Sequence, residues 1–250
     1  MLRNVLVTGA AKRLGRAIAL DLAGAGWNVA IHYNSSENDA DNVAQAARAF
    51  GAEAALLKCD LSKEAETAAL VARAVKELGP LTALINSASL FENDDWHSAT
   101  RASWDDHMEI NLRAPMKLSQ DFAKQLPEGE RGAIVNIIDQ RVLKPTPQFL
   151  SYSLSKAGLY WLTTTLAQGM GPSIRVNAVG PGPTIRNPRQ SAEDFDRQRD
   201  ATILKHGSEP DDICAAVRYL LSAEAVTGQM IAVDGGQHLI WQTPDVRVGE

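Results

Sequence analysis

Seven short, almost continuously apolar runs separated by stretches with helical spacing constrain this chain more than any other feature of its sequence. They are NVLVT at 4–8, WNVAIHY at 27–33, AEAALLK at 52–58, LTALIN at 81–86, GAIVNII at 132–138, SIRVNAV at 173–179 and QMIAVDG at 229–235. A strand packed on one face alternates apolar and polar residues, whereas a strand covered on both faces does not. Between the runs, Ala17, Leu20 and Ala23 recur at helical spacing. So do Ala65, Ala69 and Ala72, behind an N-cap at Ser62 and a glutamate at 66. Strand and helix alternating this often predict an α/β fold, a doubly wound parallel sheet of about seven strands with helices on both faces. No Pro/Ser-rich linker, charge block or repeat interrupts the pattern, so one domain is expected over 1–250. Its least regular part, 181–209, is rich in Pro, Arg and Asp and reads as a substrate flap.

The formal net charge of −5 argues against a surface built to neutralise nucleic-acid phosphates or to dock on anionic membrane. Cys59 and Cys214 lack metal-ligand spacing, which leaves no basis for a zinc site or a disulfide framework. The opening LRNVLVTGA has no secretory h-region and no later run reaches transmembrane length, so a cytoplasmic protein acting on a small molecule is expected.

The first strand breaks into TGAAKRLGRAIA, where Gly9 and Gly15 bracket a turn into a helix. Glycines there allow backbone amides and a helix N-terminus to approach a pyrophosphate. Where such folds bind an unphosphorylated ribose, an acidic residue closes the second strand. Here that region reads HYNSS, 32–36, with no carboxylate before Glu37, while Lys12 and Arg13 lie within reach of a 2′-phosphate. The expected cofactor is NADPH. Asp60 suits either the adenine amino group or a local role as Asx-turn or helix cap.

Tyr152 and Lys156 stand four apart in SYSLSK, on one face of an expected helix. A buried ammonium about 4 Å from a phenol, at an effective dielectric near 20, is worth about 4 kcal/mol. That would lower the phenol pKa by about three units from near 10 and make it an acid near neutrality.

TGAAKRLG, CDL, INSAS, Asn111 in INLRAP, Tyr152 with Lys156, VNAVGPGPT and VDGG together resemble the short-chain dehydrogenase/reductase family over nearly the whole chain. The resemblance implies a Rossmann-type fold and hydride transfer from a nicotinamide. Tyr152 would be the proton donor, Lys156 would bind the nicotinamide ribose, and Asn111 would hold a water in the proton relay. It also extends the cofactor wall to Leu14, Asn34, Ser35, Leu61, Asn86, Ser87, Ala88, Pro181 and Gly182. In this family the C-terminus often reaches a neighbouring subunit, so the tail QHLIWQTPDVRVGE suggests a homotetramer.

Two positions depart from the general pattern. Arg13 replaces the usual middle glycine, and Asp139 stands where the catalytic serine is expected. Both are similar to the pteridine reductase and dihydromonapterin reductase branch, whose loop T-G-x-x-x-R-x-G is matched by Thr8, Gly9, Arg13 and Gly15, and whose NADPH segment is matched at His32, Tyr33 and Ser36. In NSASLF, 86–91, Phe91 would stack on a pterin ring and Ser89 would touch its polar edge, and the resemblance also implies substrate contacts from Arg13, Asp139 and Tyr152.

An ionised Asp139 repels the oxyanion of a reduced ketone, but a protonated one can share a proton with Tyr152 at the nitrogen of a C=N bond. That role requires its pKa to rise by about three units. The alternative for Asp139 is a structural turn before Arg141 and Lys144. Arg186 and Arg189 can touch substrate or cofactor phosphate, or be solvated. The reading is an NADPH-dependent reductase of a dihydropterin C=N bond. The alternatives are a ketone or 3-oxoacyl thioester reductase and a nucleotide-sensing binding protein without turnover.

Overall fold

The reason the apolar runs become central strands is visible in β1 (Asn4–Val7). Its alternate side chains point to opposite faces, so Val5 and Val7 enter one core and Leu6 the other. The computed structural model describes residues 3–243. Its remaining strands are β2 (Asn28–Tyr33), β3 (Ala54–Lys58), β4 (Ala83–Asn86), β5 (Gly132–Ile137), β6 (Ile174–Pro181) and β7 (Met230–Val233). All pair in parallel in the order β3-β2-β1-β4-β5-β6-β7. The strands begin and end up to two residues from the expected apolar runs. β7, for example, stops at Val233 because Gly235 and Gly236 turn the chain with φ of 62° and 78°.

Helices cover both faces. α1 (Arg13–Gly24), α2 (Glu37–Ala49) and α8 (Pro210–Ser222) bury Ile18, Leu22, Val43, Ala47, Val217 and Leu220 against Val5, Val29, Ile85 and Val179. On the other face α3 (Glu64–Leu78), α5 (Ala114–Gln125) and α6 (Leu150–Met170) cover Leu6, Leu84, Ile134 and Val176. α4 (Arg101–Met108) runs into α5 through a π-helical turn at Glu109–Arg113, and α7 (Ala192–Asp200) lies within the 181–209 segment.

Two local expectations are corrected. The buried stripe of α3 is Thr67, Leu70, Val71 and Ala74, while Ala65, Ala69 and Ala72 are exposed. Leucine and valine gain more from burial than alanine, which is a good helix former on the solvent face as well. Nor does Ser62 cap α3, whose N-cap is Lys63. The Ser62 amide and hydroxyl instead donate to Asp60 Oδ1, at 3.0 and 2.7 Å.

The strand order reverses between β2 and β4 on either side of β1, and a crevice opens at the carboxyl ends of the strands on such a sheet. Here it is a cleft of about 1070 Å³, walled by the segments that leave β1, β4, β5 and β6. No helix among the described residues is long and apolar enough to cross a membrane. Of the C-terminal tail, Trp241 is described and 62% exposed. Residues 244–250 lie outside the described part.

Candidate active site

The floor of the cleft is the turn after β1. Gly9 has φ of 65° and lies so close to the chain after β4 that a Cβ would sit 2.9 Å from Ala88 Cα. A Cβ on Gly15 would meet Gly9 O at 2.2 Å. Thr8 Oγ1 accepts the amides of Ser87 and Ala88 at 2.9 and 3.0 Å and holds the β4 segment against this turn. α1 begins with no side-chain cap on its amides, so its N-terminus is open to a phosphate. Gly9, Lys12, Arg13, Leu14, Gly15, Asn34, Asp60, Leu61, Ser87, Ala88, Pro181 and Gly182 all line the cleft. The cradle fits a dinucleotide.

The end of β2 differs from expectation. His32 lines the cleft but is buried, its Nδ1 accepting the Gly9 amide at 2.9 Å and its Nε2 facing Cys59 O at 3.0 Å. This pairing requires the neutral Nε2–H tautomer, so His32 braces the glycine turn rather than presenting a free edge to the cofactor. Tyr33 points into the core, and Ser35 and Ser36 also stand outside the cleft wall. Asn86 is outside it too. Its Nδ2 donates to Asn136 Oδ1 at 2.8 Å, and Asn136 in turn donates to Thr163 Oγ1. Sequence position alone does not say to which face of a terminal strand residue a side chain is committed.

Burial pushes the His32 pKa down to about 4, against the opposing Cys59 carbonyl. The unfolded chain then binds a proton, below about pH 6.5, that the native state refuses. Stability is therefore expected to fall by about 3 kcal/mol as pH drops from 6.5 to 4. Denaturant melts of the wild type and His32→Gln across this range check it. Parallel pH dependences in the two proteins would refute the assignment.

The Arg13 backbone has φ of 53°, which explains why glycine is usual there. Its guanidinium donates to Ile185 O at 2.8 Å and Arg186 O at 2.9 Å. Arg189 Nη2 donates to Phe91 O at 2.6 Å and its other arm pairs with Glu92. Two arginines thus button the 181–209 segment to opposite walls of the cleft, while Arg186 bonds locally to Gln190 O. Lys12 pairs with exposed Asp39 at 3.0 Å. For Arg13→Gly, relief of about 1 kcal/mol of left-handed strain should offset much of the lost bonding. Global stability is then nearly unchanged, while tryptic cleavage after Arg186 and Arg189 accelerates. Unchanged cleavage would sink the tether.

The residues expected at the reacting end lie where β5 meets α6. Asp139 caps a short 3-10 turn, Gln140–Val142, with Oδ1 accepting the Arg141 amide at 2.8 Å, and Oδ2 accepts the Tyr152 phenol at 2.8 Å. The turn role and the phenol contact, weighed as alternatives, occur together on the two oxygens. Burial pushes the Asp139 carboxyl up, opposed by the Arg141 amide and guanidinium.

Lys156 corrects an expectation. It is buried, its Nζ donates to Ile137 O at 2.9 Å, and it lies 5.8 Å from the centre of the Tyr152 ring. Burial lowers its pKa to about 8 against the pull of Asp139. The phenol is held well above its ordinary value, not below it, first by burial and then by Asp139. The cation that opposes this is Arg141. The expected lysine effect assumed a separation of about 4 Å and no carboxylate on the phenol.

Asn111 is fully buried in the π-helical turn. Its Oδ1 accepts the Leu90 amide at 2.8 Å, and its Nδ2 donates to Leu90 O at 2.9 Å and Ser155 Oγ at 3.0 Å. The side chain ties the segment after β4 to α6, so its amide is already committed within the protein.

On the substrate side Ser89 and Phe91 line the cleft. One face of Phe91 is covered by Phe149, with centroids 4.4 Å apart and planes 8° from parallel, and the Phe91 and Tyr152 rings meet in a T-shape with centroids 4.6 Å apart. Arg141 lies over both rings, 4.7 Å from Phe149 and 5.7 Å from Phe91. No motif or spacing singles out Phe149 or Arg141, although they share one segment with Asp139 and Tyr152. Also missed was a buried brace behind the tyrosine. Ser151 Oγ contacts Asp94 Oδ2 at 2.5 Å and His107 Nδ1 at 2.7 Å, and the Ser151 amide donates to Asp94 Oδ1. Among the described residues no group of His, Cys, Asp and Glu is arranged to hold a metal ion.

A family model described as enoyl-(acyl carrier protein) reductase, of the short-chain alcohol dehydrogenase type, matches residues 9–238. The 3-oxoacyl-(acyl-carrier-protein) reductase FabG of Staphylococcus epidermidis is 31% identical over 96% of this chain and 100% of its own length. Two solved structures, both NADP complexes of FolM alternative dihydrofolate reductase 1, are more similar. The Brucella suis protein is 46% identical with a TM-score of 0.94, covering 97% of each chain. The Brucella canis protein is 44% identical with a TM-score of 0.93, covering 98% of each.

Proposed function

The chain belongs to the short-chain dehydrogenase/reductase family, and from that premise we propose that it reduces the C=N bond of a dihydropterin. It is an NADP-dependent oxidoreductase acting on a small molecule. The observation that carries the substrate reading is the hydrogen bond between the Tyr152 phenol and Asp139 Oδ2. A ketone reductase needs a second donor at the developing oxyanion, whereas this pair places a shareable proton where a ring nitrogen can take it. The face of Phe91 that Phe149 does not cover suits a flat heterocycle, and the similarity to the two FolM structures points the same way.

Bound NADPH supplies the hydride. Gly9, Lys12, Leu14, Gly15 and the α1 amides would hold its adenosine and phosphate end, and Lys156 would face its nicotinamide ribose. Tyr152 and Asp139 jointly give a proton to the substrate nitrogen as the adjacent carbon receives hydride. Asn111 keeps the Leu90 segment and α6 in place. The similarity to FabG keeps a 3-oxoacyl reductase as the second reading.

The test follows NADPH consumption with dihydromonapterin, dihydrobiopterin and dihydrofolate beside acetoacetyl thioesters, in the wild type and Asp139→Ser. Pterin turnover lost in the variant supports the proposal. Thioester turnover that persists or improves with serine overturns it.

The assembly proposed is a cytoplasmic homotetramer. Its support is an apolar groove of about 440 Å³ lined by Met108, Leu112, Met116, Trp161 and Leu162, with Trp161 72% exposed. Light scattering should give four protomers for the wild type and fewer for Trp161→Glu. A monomeric wild type would refute this.

A further inference from the structure

Arg141 holds a charged, planar fork inside the cleft that has ring and ion-pair neighbours but no hydrogen-bond acceptor among the described residues. Its side chain is 18% exposed, and it approaches Asp139 Oδ1 at 4.0 Å through Nε, beyond hydrogen-bond reach. That oxygen is already taken by the Arg141 backbone amide. Among the described residues no hydrogen bond to the guanidinium is formed, although Arg13, Arg175 and Arg189 each donate to backbone carbonyls. The neighbouring Gln140, which also lines the cleft, has a buried Oε1 without a partner. A largely buried cation with uncommitted donors is costly unless a ligand completes it.

We infer that Arg141 is a substrate-binding residue whose fork takes the ring carbonyl oxygen of the flat heterocycle, beside the ring nitrogen that Tyr152 and Asp139 protonate. The inference rests on the dihydropterin reading and adds the group that orients the ring. Position favours the ring over a substrate tail. The guanidinium lies over Phe149 and Phe91 and within 4.0 Å of the proton-giving carboxyl, at the reacting centre. Arginine takes a carbonyl beside a ring nitrogen in the same way on guanine. Lysine lacks that planar fork.

The groups facing Asp139 are Tyr152, Lys156 and Arg141, so removing this cation should raise the carboxyl pKa and extend activity to higher pH. Arg141→Met keeps an apolar stem over the rings. It should raise KM for dihydrobiopterin and dihydrofolate alike, by about tenfold or more, with NADPH affinity unchanged. Its descending pH limb should move upward. Arg141→Lys should restore that limb without restoring KM. A KM that does not change, or a loss confined to dihydrofolate with its tail carboxylates, overturns the assignment.

Binding of oxidised pterin to the NADP⁺-loaded protein, read by quenching of pterin fluorescence, separates the anchor from the chemistry. Tight binding by the wild type that is lost in Arg141→Met upholds the anchor even if turnover is absent and the dihydropterin reading fails. Equal binding by both proteins overturns the anchor alone. No binding by the wild type overturns both.

Discussion

Replacing Tyr152 by phenylalanine should lower kcat for dihydropterin reduction by about a thousandfold while leaving NADPH affinity nearly unchanged. The phenol is buried between the edge of Phe91 and the His107 ring, and its hydroxyl contributes one hydrogen bond, to Asp139 Oδ2. Because its pKa lies well above the ordinary value, the phenol carries its proton throughout the working range and can give it as charge develops on the substrate nitrogen. The phenylalanine variant keeps the ring packing and deletes that proton. It also removes a hydrogen bond that favoured the ionised form of Asp139, so the carboxyl should become harder to ionise. Residual activity then comes from protonated Asp139 and falls as pH rises. Single-turnover rates across pH 5–9 test both points. A variant retaining more than about a tenth of the wild-type rate would remove Tyr152 from the proton path.

Much of this architecture is legible in the sequence because strands covered on both faces have little freedom in composition. NVLVT and GAIVNII have few structural alternatives once helical stretches flank them. The glycine turn is legible for a steric reason, since Gly9 and Gly15 stand where a Cβ would collide with backbone. What sequence conceals is the direction of individual side chains. Ala65, Ala69 and Ala72 have the period of a buried stripe, but Leu70 and Val71 bury more apolar surface, and the helix turned that way.

Long-range polar partners are hidden for a different reason. Arg189 reaches Phe91 O, and Ser151 reaches Asp94 and His107, across separations that only the folded chain closes. The lysine-lowered phenol fails similarly. The spacing of Tyr152 and Lys156 places them on one face of α6, but the lysine reaches past the ring to the Ile137 carbonyl and the carboxylate takes the hydroxyl. The bonds that Arg13 makes to the Ile185 and Arg186 carbonyls, from a left-handed backbone, are hidden for the same reason.

Asp139→Asn should cut dihydropterin turnover by about a hundredfold or more and at the same time make the protein more stable at neutral pH. The two effects have one cause. Burial raises the Asp139 carboxyl above its value in the unfolded chain, so between the unfolded and folded pKa values the native state holds a proton that the unfolded state releases. Stability from this group therefore falls as pH climbs through that window and is fully present below it. Asparagine carries no such penalty, and its amide can still accept the Arg141 N–H that Oδ1 now caps and face the Tyr152 hydroxyl. It has no acidic proton to give. The descending limb of the wild-type rate, set by ionisation of Asp139 and steepened as Lys156 loses its charge near pH 8, should shrink in the variant to the lysine component alone. Denaturant midpoints at pH 5 and pH 8 with paired pH–rate profiles decide between roles. If asparagine leaves turnover intact and destabilises the fold at both pH values, Asp139 is a turn residue that happens to touch the phenol. If it slows the reaction, flattens the profile and stabilises the protein chiefly at pH 8, the carboxyl is kept for its proton at the expense of stability.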